Sequence, residues 1–325
     1  MLTLRSFFNT VKTFSGENRV VNYFLKLIFI FLIFGGIACC PKAPIRFERQ
    51  WGMTGDWKGW FKSPEDVAVD GEGHVYVADF QNHRVQKFDR QGRFLRVIGG
   101  FGRGDGEFAY PRSLDVDREG NLYVVEQEKP RIQKFNSQGV FLLKFGREGN
   151  APGQFGGGAD LTVGKNGHVY VADPANDRVE EFDAGGSFVR QWGSPGKGDC
   201  QLDGAFGITT DSLGNVYVSE SFNNRIQKFD PTGKFLAKWG KGGSGPGEFN
   251  TPAKLACDPK DDLYVADTMN HRIQKFDSQG RFILTWGTRG NGKGQLDSPY
   301  GVAVDSADKI YVADTGNDRI VVFSP

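Results

Sequence analysis

From residue 46 onward the chain alternates short apolar runs with turn signals. Val67–Asp70 and Val75–Asp79 are rich in Val and Ala, which is typical of strands covered on both faces. Arg84–Asp89 alternates apolar with polar side chains, which predicts a half-exposed strand, and Phe94–Ile98 predicts a fourth strand. Short glycine-containing turns separate the first two strands and the last two. The pattern therefore predicts antiparallel units of four strands, which we term a, b, c and d.

The same unit recurs with a fixed period of 47 residues. A tyrosine marks strand b at Tyr76, Tyr123, Tyr170, Tyr217, Tyr264 and Tyr311. An arginine opens strand c at Arg84, Arg131, Arg178, Arg225, Arg272 and Arg319. Four-stranded repeats of about 40–50 residues are typical of β-propeller blades. The six repeats therefore predict an all-β fold, a six-bladed β-propeller of four-stranded blades.

The two ends of the chain predict how the ring closes. The last repeat stops after its strand c, Arg319–Phe323, and lacks a strand d. Arg46–Gly52 has the character of a strand d and follows no strand a, b or c, and Trp51 lies five periods before Trp286. We therefore expect the N-terminal strand to close the last blade, which removes an open sheet edge.

One stretch, Tyr264–Asp277, carries the repeated motif almost complete. It reads Tyr-Val-Ala-Asp and then Asn-His-Arg-Ile-Gln-Lys-Phe-Asp, and it resembles the NHL repeat. The resemblance covers about residues 46–325 and implies an NHL-type propeller. It implies no single activity, because NHL propellers include peptidyl-hydroxyglycine lyases, RNA-binding repressors and receptor-kinase sensor domains, and a fold alone does not give a function. The lyases of the family use a histidine-ligated metal in the channel, and no histidine stands where strand a begins here, which weighs against that activity.

Because strands a to d alternate in direction, the connections emerge on two different faces. The d–a and b–c connections form one face, the loop face, and the a–b and c–d turns form the other, the turn face. The connections of the loop face are longer and vary between repeats, and binding sites usually lie on variable loops held by a rigid scaffold. We therefore expect the site on the loop face, at the mouth of the central channel. Residues present in every repeat, such as the acid that ends strand b, are expected to belong to the scaffold.

Where strand a begins, the repeat prefers glycine, and departures from it define the candidate site. The ligand-binding candidates at this position and the one before it are Asp66, Arg112, Asp160, Phe206, Lys254 and Tyr300. They predict a polar, charged mouth with two aromatic walls for a small polar ligand or a peptide segment, and the alternative is a solvated rim of mutually neutralising charges. We assign no catalytic residue, metal ligand or cofactor. Asp66 and Asp160 could hold a divalent cation or act in acid–base chemistry, but with Lys254 present, charge neutralisation is the plainer account.

Two further departures lie in the b–c connections. Glu126–Pro130 replaces the Asp-x-x-Asn-x of the other repeats. The first and fourth repeats carry Phe80 and Phe222, which are either contact anchors or packing residues against the neighbouring blade.

The N-terminal segment is expected to be a targeting signal. Basic residues precede an apolar run of 14 residues, Leu27–Cys40, which is short for a membrane span of about 20 residues and typical of a signal peptide. Gly36–Cys39 resembles a bacterial lipobox, which implies cleavage before Cys39 and lipidation of its thiol. Cys40 as the modified residue, or an uncleaved anchor starting near Val20, is the alternative. We expect residues 1–38 to be a signal peptide, 39–45 a lipidated tether and 46–325 the propeller.

Charge and export narrow the class of partner. Removal of residues 1–38 leaves 36 basic and 38 acidic residues, a net charge of −2, which argues against a nucleic-acid partner because such partners need basic contacts to phosphate. The first hypothesis is a non-catalytic propeller, lipid-anchored at the bacterial cell envelope in the periplasm or at the cell surface. Its loop face would bind a protein, peptide or saccharide. The second hypothesis is a metal-dependent lyase or lactone hydrolase working at the channel mouth.

Overall fold

The computed structural model describes residues 44–158 and 160–325. Within these ranges the chain forms six antiparallel sheets of four strands each. The innermost strand of each sheet contacts the innermost strand of the next, and the sixth contacts the first, so the blades form a closed ring. The predicted six-bladed β-propeller is confirmed. None of the helical segments in this part of the chain has the length and hydropathy of a membrane span.

The strands follow the predicted order a, b, c, d from the channel outward. Blade 1 is β2 (Pro64–Val69), β3 (Val75–Asp79), β4 (Arg84–Phe88) and β5 (Phe94–Ile98), and blade 2 is β6 (Pro111–Val116), β7 (Leu122–Glu126), β8 (Ile132–Phe135) and β9 (Phe141–Phe145). Blade 3 is β10 (Asp160–Val163), β11 (Val169–Asp173), β12 (Arg178–Phe182) and β13 (Phe188–Trp192), and blade 4 is β14 (Ala205–Thr210), β15 (Val216–Glu220), β16 (Arg225–Phe229) and β17 (Phe235–Trp239). Blade 5 is β18 (Pro252–Cys257), β19 (Leu263–Asp267), β20 (Arg272–Phe276) and β21 (Phe282–Trp286), and blade 6 is β22 (Val302–Val304), β23 (Ile310–Asp314), β24 (Arg319–Ser324) and β1 (Arg46–Trp51). Short 3-10 turns occupy Phe80–Asn82, Thr268–Asn270 and Thr315–Asn317.

The N-terminal strand closes the ring as predicted. β1 pairs antiparallel with β24, placing Phe47 opposite Phe323 and Trp51 opposite Ile320. Its first residue, Arg46, lies opposite the last residue of β24, which puts the start of the propeller on the turn face. With only a short tether expected before Arg46, we predict that the turn face lies toward the membrane. Cys39 and Cys40 lie outside the described residues, so the expected signal peptide and lipidation stay predictions.

The prediction of a half-exposed strand c is wrong. In β4 every residue after Arg84 is buried, and it is β5, the outer strand, that is largely exposed. The polar side chains of strand c are buried because they have partners inside the blade. Gln86 is fully buried and donates to the carbonyl of Trp60 over 2.7 Å, and Lys87 holds its Nζ 4.7 Å from the ring centre of Tyr76, a cation–π contact. The alternation of apolar and polar residues therefore separated the two faces of strand c correctly, but it did not show whether the polar face is exposed to solvent.

The acid that ends strand b belongs to the scaffold, as expected. Asp79 accepts from Arg84 Nε at 2.7 Å, and the guanidinium of Arg84 also donates to the carbonyls of Trp57 and Trp60. The same residue types repeat this arrangement in the other blades, with Glu126–Arg131, Asp173–Arg178, Glu220–Arg225, Asp267–Arg272 and Asp314–Arg319. Each buried ion pair thus fixes the d–a loop of its own blade, and the loop face is carried on a rigid frame.

Candidate functional site

Three of the candidate side chains meet in the channel just below its mouth. Asp66, Asp160 and Lys254 start the innermost strands of alternate blades, and Lys254 reaches across the channel to both acids. Its Nζ lies 2.6 Å from Asp160 Oδ1 and 2.9 Å from Asp66 Oδ2. The sequence indicated that these residues share the mouth, and the structure brings them into direct contact.

The two carboxylates also connect neighbouring blades through the backbone. Asp66 Oδ2 accepts from the N–H of Leu114 in the next blade at 3.0 Å, and Asp160 Oδ2 accepts from Ile208 at 2.8 Å. Ser113 Oγ lies between the two acids, within hydrogen-bond distance of both carboxylates, and donates its single proton to one of them at a time. Every polar atom of this tier therefore has a partner inside the protein, as buried polar groups require.

The other three candidates form a second tier immediately above. The guanidinium of Arg112 lies 4.7 Å from the ring centre of Phe206 and 5.5 Å from that of Tyr300. It donates to the Tyr300 hydroxyl at 2.6 Å and to Gln127 Oε1 at 2.9 Å. Glu65 Oε2 lies 3.5 Å from Arg112 Nε. The two predicted aromatic walls are present, and the space between them holds a side chain of the protein itself.

Burial sets the ionisation of this site. It raises the pKa of Glu65 to about 7, against a lowering by Arg112. Burial, together with the nearby charge of Asp160, raises the pKa of Asp66 to about 6, although Lys254 lowers it. Burial alone would lower the pKa of Lys254, but the attraction of Asp160 and Asp66 outweighs burial and raises it. Lys254 therefore remains positively charged, and its single charge is shared by two carboxylates.

Little space remains at the mouth. The cavity enclosed by both tiers measures about 20 Å³, room for about one water. Below Lys254 the channel widens to about 200 Å³ between the innermost strands and opens toward the turn face. A ligand at the mouth would have to displace Arg112 or Lys254 from the partners described above.

The arrangement also bears on the divalent cation considered for Asp66 and Asp160. Their oxygens are of the type that Mg²⁺ and Ca²⁺ prefer, but Lys254 Nζ lies between them at hydrogen-bond distance from both. Elsewhere in residues 44–158 and 160–325 no group of three or more His, Cys, Asp or Glu side chains is placed to hold a metal ion. As arranged, the two acids fit an ammonium rather than a divalent cation, and we derive no chemical step through a metal.

The repeat itself can now be compared with known families. The profile of the NHL repeat matches residues 61–88, 249–276 and 296–323, which correspond to blades 1, 5 and 6. Three of the six blades therefore match the NHL repeat. The curated relatives of the chain include the B-box type zinc finger protein ncl-1 of Caenorhabditis elegans, 46% identical over 48 residues, and Protein brain tumor of Drosophila melanogaster, 39% identical over 59 residues. These matches cover 15% and 17% of the chain and only 6% of either relative.

Solved structures match this propeller over most of its length. A streptogramin B lyase superimposes with a TM-score of 0.60 at 17% identity, over 86% of this chain and 97% of the other. A gluconolactonase of Xanthomonas campestris gives a TM-score of 0.61 at 16% identity, over 88% and 99%. An auxiliary nutrient binding protein of Bacteroides thetaiotaomicron gives 0.62 at 16% identity, over 86% and 72%. At this level of identity the likeness shows the fold alone.

The propeller carries a second unusual region, which the comparison of the repeats in the sequence did not single out. On the loop face, the connection into blade 1 exposes Met53, Trp57 and Trp60, with Trp57 73% exposed. At the positions of Trp57 and Trp60 the other blades carry Gly or Ala and then Glu or Gln. There the acid or amide caps its own loop, as when Gln201 Oε1 accepts from Gly198 N at 2.8 Å. Blade 1 lacks that cap and exposes two indole rings instead. Aligning the six loops by the 47-residue period would have shown this difference.

Phe80 and Phe222, left open as anchors or packing residues, differ in outcome. Phe80 packs against Tyr110 of the next blade with ring centres 5.0 Å apart. Phe222 is 74% exposed and remains available on the loop face. Phe101, from the connection into blade 2, is 73% exposed. Its ring centre lies 4.7 Å from that of His83, in the b–c turn that follows Phe80, and the two rings are tilted by 60°. Trp57, Phe101 and Phe222 are therefore exposed on the loop face, whereas the aromatic side chains at the channel mouth are only partly exposed.

Proposed function

We propose that this NHL propeller is a binding module, exported and lipid-anchored at the bacterial cell envelope, whose loop face receives a protein or peptide. A small ligand at the channel mouth has less support, because the six candidate residues there occupy one another. The proposal puts the contact surface on the connections that surround the mouth. These loops are held in place by the buried acid–arginine pairs.

The observation that carries the proposal is the exposed aromatic loop of blade 1. Large exposed apolar side chains that cluster on one loop are uncommon in monomeric proteins and mark interaction sites. Trp is among the residues most enriched where binding energy concentrates. Trp57 and Trp60 stand where the other blades have small or capping residues, so the repeat does not require an indole at either position. Their exposure is explained if a partner covers them.

The alternative is a lyase or lactone hydrolase acting at the channel mouth. It is supported by the fold shared with the streptogramin B lyase and the gluconolactonase. The paired acids Asp66 and Asp160 would be its catalytic groups, but both are held by Lys254 and by backbone N–H groups. The cavity of about 20 Å³ excludes a substrate unless the mouth rearranges. The geometry therefore favours the binding module.

In-cell photo-crosslinking tests the proposal with a built-in control. A photoreactive amino acid is placed at Trp57 in one full-length variant and at Leu213 in another, since Leu213 is 76% exposed but lies in an a–b turn on the opposite face. We expect a discrete crosslinked protein from position 57 and none from position 213. Identical products from both positions, or none from either, would contradict the assignment of the loop face.

A mass measurement tests the anchor separately. We expect the mature protein to begin at Cys39 and to carry added acyl mass, and Cys39→Ser to abolish both the cleavage and the added mass. The matched variant Cys40→Ser should retain both. If Cys40→Ser alone loses the lipid, the modified residue has been misassigned, and if neither variant changes the mass, the lipoprotein proposal fails.

A further inference from the structure

Neighbouring blades are joined on the loop face by a recurring hydrogen bond. In five of the six blades, the last residue of the b–c connection adopts a left-handed conformation, and its side chain accepts from a backbone N–H of the next d–a loop. Five junctions carry this bond, as Asp318 to Ser63, His83 to Tyr110, Asp177 to Gly204, Asn224 to Thr251 and His271 to Ser298, over 2.7–3.1 Å. The two equivalent histidines, His83 and His271, thus serve the scaffold.

The junction between blades 2 and 3 departs from this arrangement. Pro130 occupies the position of the accepting residue and has no acceptor side chain. Opposite it lies Gly157, within a run of three glycines, where the left-handed φ angle moves to Gly158 at 86°. Lys129 replaces the asparagine that in blade 3, as Asn176, donates to the loop carbonyl of Gly149, and its Nζ donates instead to the carbonyl of Arg103. The divergence noted in the sequence at Glu126–Pro130 therefore removes a connection between blades.

A groove opens on the loop face at this junction. It measures about 630 Å³ and lies between the b–c connection of blade 2 and the loop that leaves β9. Its exposed charged side chains are Arg103, Glu128, Lys129, Lys144, Arg147 and Glu148. We call it the blade 2–3 groove.

The charges of the blade 2–3 groove favour an anionic occupant. Arg103 is paired with Glu128 at 2.9 Å, and Lys144 is paired with Asp105. In the part of the chain that the structure describes, no carboxylate lies within 4.0 Å of Lys129 or Arg147, so these two cations face the groove without a paired acid. Guanidinium groups such as that of Arg147 bind carboxylates in a bidentate manner.

We propose, resting on the proposed binding function, that the blade 2–3 groove binds an acidic segment of a partner polypeptide. One wall is the end of β9, the outermost strand of blade 2, whose outer edge has no strand beside it. An extended peptide can continue such an edge through main-chain hydrogen bonds, which a saccharide or a free anion cannot do. Phe101, two residues before Arg103 and 73% exposed, offers an apolar contact beside the cations.

The variants follow from the repeat itself. The double variant Lys129→Asn/Pro130→Asp installs the residue types that the other blades use, and it removes one groove cation and adds an acid to the groove lining. Arg147→Glu reverses one groove cation on the surface. Its matched control is Lys241→Glu, because Lys241 is the equivalent residue at the loop of blade 5 and lies away from the groove.

Fluorescence anisotropy with the full-length chain in detergent gives the readout. The probes are a short labelled glutamate-rich peptide and its glutamine-for-glutamate counterpart. We expect the glutamate peptide alone to bind, with affinity falling as salt is raised. Arg147→Glu and the double variant should each weaken binding by about tenfold or more, as for lost charge pairs at an interface, while Lys241→Glu binds as the unchanged protein does.

Several outcomes would overturn the groove proposal. They are equal binding of the glutamine peptide, unchanged binding by both groove variants, no binding at all, or stronger competition by polygalacturonate, inorganic phosphate or single-stranded RNA than by unlabelled glutamate peptide. Crosslinking from position 57 that persists alongside any of these would leave the loop-face function standing. Loss of crosslinking together with retained peptide binding would overturn the partner contact at Trp57 and leave the groove proposal standing.

Discussion

The channel mouth and the outer loop face both depart from the repeat, but they differ in what the departing side chains contact. At the mouth, Lys254 and Arg112 replace residues of the repeat and find acids, hydroxyls and aromatic rings inside the protein. On the outer face, Trp57 departs in the same way, and its side chain faces solvent. A departure from the repeat therefore indicates a binding site only where it leaves side chains without partners. At the mouth it indicates instead a repacked interior.

The largest expected effect comes from breaking the mouth. Lys254→Met leaves Asp66 and Asp160 buried without their cation, and we expect the free energy of unfolding in urea to fall by about 3–5 kcal/mol, as when one partner of a buried pair is removed. Adding Asp66→Asn and Asp160→Asn should recover most of the loss. A loss below about 1 kcal/mol would mean that the mouth is solvated, and the contrast with the outer face would disappear.

The second effect is a pH dependence that arises from Glu65 at the mouth. The pKa of Glu65 is raised from 4.5 to about 7, so between these values the folded protein binds more protons than the unfolded chain. Stability from this group is therefore present at low pH and lost as the pH rises through that window, by about 2–3 kcal/mol. The difference in unfolding free energy between the unchanged protein and Glu65→Gln, followed from about pH 4 to pH 8, isolates the effect. A flat difference for Glu65→Gln across this range would contradict the burial of this acid.

The third prediction concerns the aromatic loop of blade 1. Trp57→Gly/Trp60→Gln installs the residue types of the blade 4 loop, including its cap, so we expect stability to be unchanged or to rise by up to about 1 kcal/mol, the worth of one hydrogen bond. Thermal melting measures the change. A substantial loss of stability would show that the indoles support the fold and would remove the main argument for a partner surface.

The smallest change in unfolding free energy is expected for Arg103→Ala, with Arg112→Ala at the mouth as the comparison. Arg103, 73% exposed in its side chain, pairs with Glu128 in solvent, and Arg103→Ala should change the unfolding free energy by less than about 0.5 kcal/mol. Arg112→Ala removes a buried guanidinium with aromatic and hydroxyl partners and should cost more. Equal costs in urea unfolding would show that the two regions do not differ in the way described.

The fold could be predicted almost completely because each blade repeats the same local signals. The tyrosine and arginine series located the strands, and the missing strand d at the C-terminus located the closure by Phe47 and Trp51. The error at strand c has a physical cause, since Gln86 and Lys87 are polar but satisfied inside the blade. The alternation of residue types cannot distinguish such a side chain from one in water.

The candidate site could be predicted only as a set of neighbours. The period placed Asp66, Asp160 and Lys254 around one channel, because equivalent positions in a ring face the same axis. Whether the lysine reaches across to both acids depends on side-chain length and channel width, which the sequence does not contain. Part of the blade 2–3 groove was visible in the sequence as the divergent segment Glu126–Pro130, but the sequence does not show that Lys144 and Arg147, at the end of β9 and just beyond it, line the same groove.

The pairing of β1 with β24 has a consequence for how the chain is made. Synthesis runs from the N-terminus, so the segment around Phe47 emerges long before its partner around Phe323. Until that partner appears, the newborn chain holds a lone strand and an incomplete sheet, both able to pair with foreign strands. A chain that stops before Phe323 would leave β1 without its partner, so its ring could not close.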